Sequence, residues 1–204
     1  MVADSDDYFS KEFREIVDEW KDASEDIVFF YPTSADSDSG EISDRHYEFV
    51  NILKAYKDNP TKENELRLRF QLVAPWGKLI KRSLVTDNDI SFEDTRVAND
   101  VLFCRKIGLK ANNIAVSDRV LYTVTTRPGS LTSFKDGEAF DIRLDVFIRS
   151  TGYIRNNIDK ESFKKAHLNG SYFIHKCRVE KLGFTKLVST VWKLLINGIA
   201  PINI

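Results

Sequence analysis

From Phe140 to Arg149 the side chains alternate almost without a break. Phe140, Ile142, Leu144, Val146 and Ile148 form one set, and Asp141, Arg143, Asp145, Phe147 and Arg149 the other. In an extended chain successive side chains point to opposite faces, so this period of two predicts a half-buried strand over 139–149. Leu66, Leu68, Phe70 and Leu72 alternate in the same way with Arg67, Arg69 and Gln71, which predicts another. Further strands are expected at 27–31, 119–126 and 171–182. Pro128-Gly129, suited to a type II turn, and Asp136-Gly137 separate 119–126 from 139–149, which predicts an antiparallel pair.

Between these segments the apolar spacing is helical. Phe9, Phe13, Ile16, Val17 and Trp20 predict a helix over 8–24, with Asp4, Asp6 and Asp7 at its positive end. Helices are also expected over 44–59, broken by Asn59-Pro60, and over 91–109, 159–168 and 185–197. The fold class that follows is α+β: a single domain with a mixed, largely antiparallel sheet flanked by helices, preceded by an acidic helical N-terminal arm. Residues 32–44, rich in Ser and Asp, have the composition of a flexible acidic linker. The expected division is 1–44 as arm and 45–204 as basic domain.

The net charge of −1 hides a separation. Residues 1–45 carry 14 acidic and 4 basic side chains, leaving 17 acidic and 26 basic for the rest. Such asymmetry points to an anionic partner for the basic part. Lys78, Lys81 and Arg82 form one candidate anion-binding patch; Lys164, Lys165, Lys176 and Arg178 form a second. Phe9, Phe13 and Trp20 on the arm are candidate partner-binding anchors.

Catalytic signatures are sparse. The nine glycines are scattered, with neither a GxGxxG nor a GxxxxGK[ST] run, so no nucleotide-binding motif is read. His175 and Cys177 would share one face of a strand, but no second close-spaced ligand pair completes a zinc site. A Cys–His nucleophile there lacks an orienting third group. Asp141 and Asp145 could hold Mg²⁺ for phosphodiester or phosphoryl chemistry, although Arg143 between them suits a solvated face better. No catalytic residue, metal ligand or cofactor is assigned. Cys104 and Cys177 are read as buried reduced thiols, and with no basic leader or long apolar run the chain is expected in the cytoplasm or nucleus.

In outline this build resembles the matrix proteins of negative-strand RNA viruses: an acidic arm, a basic α+β body and no enzyme motif. Pro32-Thr33-Ser34-Ala35 is similar to their short proline motif, without its final proline. The leading expectation is a non-enzymatic binding or assembly protein, of the viral, matrix-like kind, whose basic body contacts nucleic acid in preference to a membrane surface. It would form homo-oligomers through the arm and need no small-molecule cofactor. The alternatives are a metal-dependent enzyme using Asp141 and Asp145, and a protein-binding adaptor using the arm.

Overall fold

Ile27-Val28-Phe29-Phe30 is the most apolar run in the chain, and it becomes the centre of the sheet. The computed structural model describes residues 1–127 and 137–202. Strand β1 (Tyr8–Phe9) is followed by α1 (Phe13–Trp20), β2 (Ile27–Asp36), α2 (Tyr47–Asp58), α3 (Lys62–Gln71), β3 (Lys78–Ile80) and α4 (Arg82–Thr86). Then come α5 (Val101–Lys110), β4 (Ile114–Thr126), α6 (Gly137–Asn157), α7 (Lys160–Lys165), α8 (Ser171–Val179) and α9 (Phe184–Ile196). The sheet order is β1-β4-β2-β3. The outer pairings are antiparallel and the long central pairing of β2 with β4 is parallel, so the protein is α+β with a mixed sheet. Pro32 has no N–H to give a ladder, and it lies where the β2–β4 register shifts, at Tyr31/Pro32.

Residues 32–36 are therefore strand rather than linker, and Ser34 and Ala35 are buried. Phe9, Phe13 and Trp20 are partly buried and pack against the core. Phe9 lies 4.4 Å from Phe13 and 5.4 Å from Tyr122, and Trp20 meets Phe30 edge-on at 6.2 Å. The helix expected over 8–24 is a two-residue strand followed by α1.

Three expected strands are helices, for one reason. A residue set at i, i+4, i+8 is compatible with both periods, and it decides nothing without its neighbours. In α6, Phe140, Leu144, Phe147 and Ile148 meet the cluster that α8 and α9 contribute, which is helical spacing. In α3 the alternation arises because the helix lies between two apolar clusters. Leu66 and Phe70 enter one, while Leu68 and Leu72 enter the other. Thr61 caps α3 by accepting from Asn64 N at 3.3 Å. In α8, Phe173, Ile174 and Cys177 are buried while His175 is exposed, so His175 and Cys177 do not share a face. The expected pair 119–126 with 139–149 is replaced by β4 against β2 and β1. The Pro128-Gly129 turn lies outside the described residues, as does Asp136 of the second turn.

The polar face of α6 is satisfied by its neighbours. Asp141 pairs with Lys186, Asp145 with Lys193 at 3.5 Å, and Arg149 with Glu93. These ion pairs tie α6 to α9 and to the segment before α5, which leaves the Asp141–Asp145 metal site without support.

Helices α3 and α5 approach closely at Gly108. A Cβ there would stand 2.4 Å from the Arg69 carbonyl oxygen and 3.1 Å from its carbon, so backbone would have to move. Gly108→Ala is expected to lower stability by about 2–3 kcal/mol. Urea unfolding checks this, and an unchanged midpoint would show that the two helices tolerate separation.

Candidate functional site

The acidic N-terminal segment folds back on the end of β4. Asp7 accepts from Thr125 N at 2.8 Å and from Thr125 Oγ1 at 3.1 Å. Asp4 N donates to the Tyr122 hydroxyl at 2.8 Å. These bonds hold Asp4, Asp6 and Asp7 along one wall of a cleft of about 540 Å³. That volume lies within the range of small-molecule sites.

Asp100 lines the same cleft, at the start of α5. Its approach is strained: Ala98 has φ of 59°, a left-handed conformation that a side chain disfavours. Four arginines reach the same cleft from separate segments: Arg45, Arg96, Arg127 and Arg143. Arg127 pairs with Asp6 at 3.2 Å, Arg96 with Glu138 at 2.9 Å, and Arg45 donates to the Thr125 carbonyl at 3.2 Å. Phe49 and Trp76 give the lining its aromatic part. Trp76 stacks on Tyr122 at 5.7 Å and leans on Phe49 at 4.9 Å.

The carboxylates here are under stress. Burial raises Asp100 above the ordinary aspartate value; nearby Asp4 adds to the rise and buried Lys78 opposes it. Asp4 is raised by desolvation, then by Asp7 and Asp6, against Arg45. Burial also raises the Tyr122 hydroxyl, with Asp7 and Asp4 adding to it. Several carboxylates with raised pKa values gathered at one cleft suit a functional site. Among the described residues, no three His, Cys, Asp or Glu side chains form a group able to hold a metal ion by themselves.

This stress has a measurable sign. Between about 3.8 and its raised folded value, Asp100 binds its proton more readily in the folded protein than in the unfolded chain. Stability therefore falls as pH rises through that window. Asp100→Asn removes the penalty. The ligand-free variant is expected to melt higher at neutral pH, by about 2–4 °C for each kcal/mol relieved. The gain disappears as pH falls below 3.8. Melting curves across this range test it, and a variant that melts lower at neutral pH contradicts it.

The residues singled out by charge lie elsewhere. Lys78 is 2% exposed, donates to the Leu72 carbonyl at 2.6 Å and sits 5.2 Å from the centre of the Phe29 ring. Lys81 pairs with Asp26 at 3.7 Å, and Arg82 opens α4. Lys164 and Lys165 lie on α7, where Lys165 pairs with Glu161 at 2.6 Å. Lys176 and Arg178 lie on α8, where Lys176 pairs with Glu180 at 3.0 Å. The basic residues thus occupy separate elements, and one is inside the core. Missed by the sequence reading were Asp4, Asp6, Asp7, Asp100 and the four arginines. The available signal was Asp4-Ser5-Asp6-Asp7, three carboxylates in four residues, immediately before a strand.

No protein-family model matches the chain, and no curated protein matches it. Solved structures that resemble it include S. aureus TarS 1-349 in complex with UDP-GlcNAc, at 18% identity and a TM-score of 0.47, over 97% of this chain and 67% of that one. The crystal structure of S. aureus TarS shares 20% identity over 96% of this chain and 38% of that one, with a TM-score of 0.45. TarS 1-349 in complex with UDP shares 18% identity over 96% and 66%, with a TM-score of 0.43. This chain thus spans between 38% and 67% of those three chains.

The placement of the basic residues corrects the expected function. The reading of a non-enzymatic, matrix-like protein that binds nucleic acid or a membrane through a basic body is set aside, with its oligomer-forming arm and its adaptor alternative. The solved structures that resemble the chain are of a protein captured with UDP-GlcNAc and UDP. Within this fold, the basic patch disperses and the arm anchors pack, partly buried, against the chain's own core. The expected partner set, nucleic acid or membrane surface with no small-molecule cofactor, is set aside with it. Among the described residues no helix is long and apolar enough to cross a membrane.

Proposed function

We propose that the cleft binds a nucleoside diphosphate sugar and that Asp100 is the base of a sugar-transfer reaction. The observation that carries this is the meeting of four arginines with four carboxylates across one cleft with an aromatic lining. Arginines suit the two phosphates, since a planar guanidinium engages phosphate oxygens in pairs. Carboxylates accept hydrogen bonds from sugar hydroxyls. Mg²⁺ is commonly held by one or two carboxylates and completes its shell with water and ligand phosphates, so the acidic wall suits a cation that arrives with the ligand.

In the reaction, an acceptor hydroxyl oxygen forms a bond to the anomeric carbon of the sugar. The bond from that carbon to the phosphate oxygen breaks, and the diphosphate leaves with the electron pair. The hydroxyl proton passes to Asp100. A carboxylate whose pKa is raised by burial is a better base than an ordinary aspartate.

Chemical-shift mapping with UDP-GlcNAc and magnesium tests the reading. Shifts are expected at the Trp76 indole N–H and the Thr125 amide, saturating with ligand. Shifts confined to α7 and α8 would contradict it.

A further inference from the structure

The segment after β2 is a strap. At its tip the Asp36 carboxylate accepts from Asp38 N at 3.1 Å and Ser39 N at 2.9 Å, and Gly40 turns the chain with φ of 72°. The chain then returns along β2: Ile42 bridges Ala35, and Ser43 N donates to the Ser34 carbonyl at 2.9 Å. At its base lies Ser34, whose residue is 0% exposed. Ser34 Oγ is 2.7 Å from His46 Nδ1 and 3.0 Å from the Ser43 carbonyl oxygen, and it accepts from Ser43 Oγ at 2.8 Å. With a proton on Nδ1 the network closes. His46 donates to Ser34 Oγ, Ser34 donates to the Ser43 carbonyl, and Ser43 Oγ donates to Ser34 Oγ. The Ser34 hydroxyl then uses its one hydrogen and both lone pairs.

Arg45 lies between the two strap residues of this network. It is half-buried, lines the cleft and lies close enough to Asp4 to lower its pKa. Arg127 and Arg96 are committed to Asp6 and Glu138, whereas Arg45 makes no ion pair among the described residues. Among the described residues its side chain donates to a backbone carbonyl, that of Thr125, which leaves further N–H groups for a ligand.

We propose that Ser34, Ser43 and His46 are positioning residues that set Arg45 as the guanidinium contacting the diphosphate. The inference rests on the nucleotide-sugar reading of the cleft. Arginine is long and flexible, and a loose one loses rotamer freedom when a ligand captures it. A strap tied on both sides of Arg45 meets that cost during folding.

The test is a double-mutant cycle with UDP as the probe, together with nitrogen-15 relaxation of the Arg45 Nε–Hε group. Ser34→Ala is expected to weaken UDP binding about tenfold, the size of one lost bond to a charged group. It is expected to change nothing further in an Arg45→Ala background, and to make the Arg45 Nε–Hε group mobile in the ligand-free protein. Ser43→Ala, which cuts one link, does the same to a smaller degree and serves if Ser34→Ala does not fold. Equal loss of affinity in both backgrounds, or an Arg45 group as ordered in the variants as in the parent, overturns the proposal. If the parent binds no UDP, the nucleotide-sugar reading fails, and the relaxation result alone decides whether the network holds Arg45.

Discussion

Asp100→Asn is expected to lower turnover of a nucleotide sugar by about 10²–10⁴-fold while leaving the diphosphate in place. The factor is that of a positioned general base removed from a proton transfer. Asparagine keeps the size of the side chain at the start of α5, so the wall of the cleft keeps its shape. What is lost is the group that takes the acceptor proton. The carboxylate also faces Asp4 and repels it, so its removal is not expected to weaken binding of a ligand whose phosphates are themselves negative. Affinity for UDP should stay level or rise as kcat falls. The same substitution is expected to raise the melting temperature at neutral pH. A residue that stabilises the protein when removed, and abolishes its chemistry, is placed for the chemistry. Release of UDP from a UDP-sugar, followed by phosphorus NMR, measures the first half. Unchanged release with unchanged affinity would remove Asp100 from the reaction.

Arg105→Met is the second large effect, and it concerns the scaffold. Arg105 is 3% exposed. It donates to Ser150 Oγ at 2.6 Å, Thr151 Oγ1 at 2.9 Å, the Phe70 carbonyl at 3.3 Å and the Phe147 carbonyl at 3.4 Å. Its guanidinium also lies 5.1 Å from the centre of the Phe147 ring. One side chain thus joins α3, α5 and α6. Burial disfavours its charge and lowers its pKa, and the hydrogen bonds and ring contact oppose that cost. Methionine removes the charge but strands Phe70 O, Ser150 and Thr151 away from water. Each stranded group costs about 1–3 kcal/mol, while Ser150 can fall back on its bond to Phe147 O. The stranded groups outweigh the relieved charge, and a net loss of about 3 kcal/mol is expected. Chemical unfolding measures it. A neutral or stabilised variant would mean that desolvation of the guanidinium dominates.

The sequence was informative where one face of an element meets one environment. Helices α2, α7 and α9 lie within two or three residues of their expected bounds, with Asn59-Pro60 ending α2 and Asp159 capping α7. The β2 signal was right in kind and short in length, because Pro32 and the following polar residues looked unlike a central strand. It failed where an element meets two environments. In α3, Leu66 and Phe70 face one core and Leu68 and Leu72 another, so a helix carries a strand's alternation. In α6, charged residues that suggested a solvated sheet face are ion-paired to α9 and to Glu93. The cleft was invisible for a different reason. Asp4, Arg45, Asp100, Arg127 and Arg143 come from five distant segments, and no local spacing announces them. The acidic residues that made the chain look like an arm and a linker carry Asp4, Asp6, Asp7 and the strap that holds Arg45. Charge summed over a segment also misled, because Lys165 and Lys176 are matched by a carboxylate one turn away.

The most direct test of the central claim is a calorimetric titration of UDP, with magnesium, into the parent protein, Arg45→Ala and Asp4→Asn. The account predicts saturable binding at one site in the parent and clear weakening when Arg45 is removed. It also predicts a magnesium dependence that falls when Asp4 is neutralised. No heat of binding in the parent, or binding that survives both substitutions unchanged, would contradict a nucleotide-sugar site in this cleft.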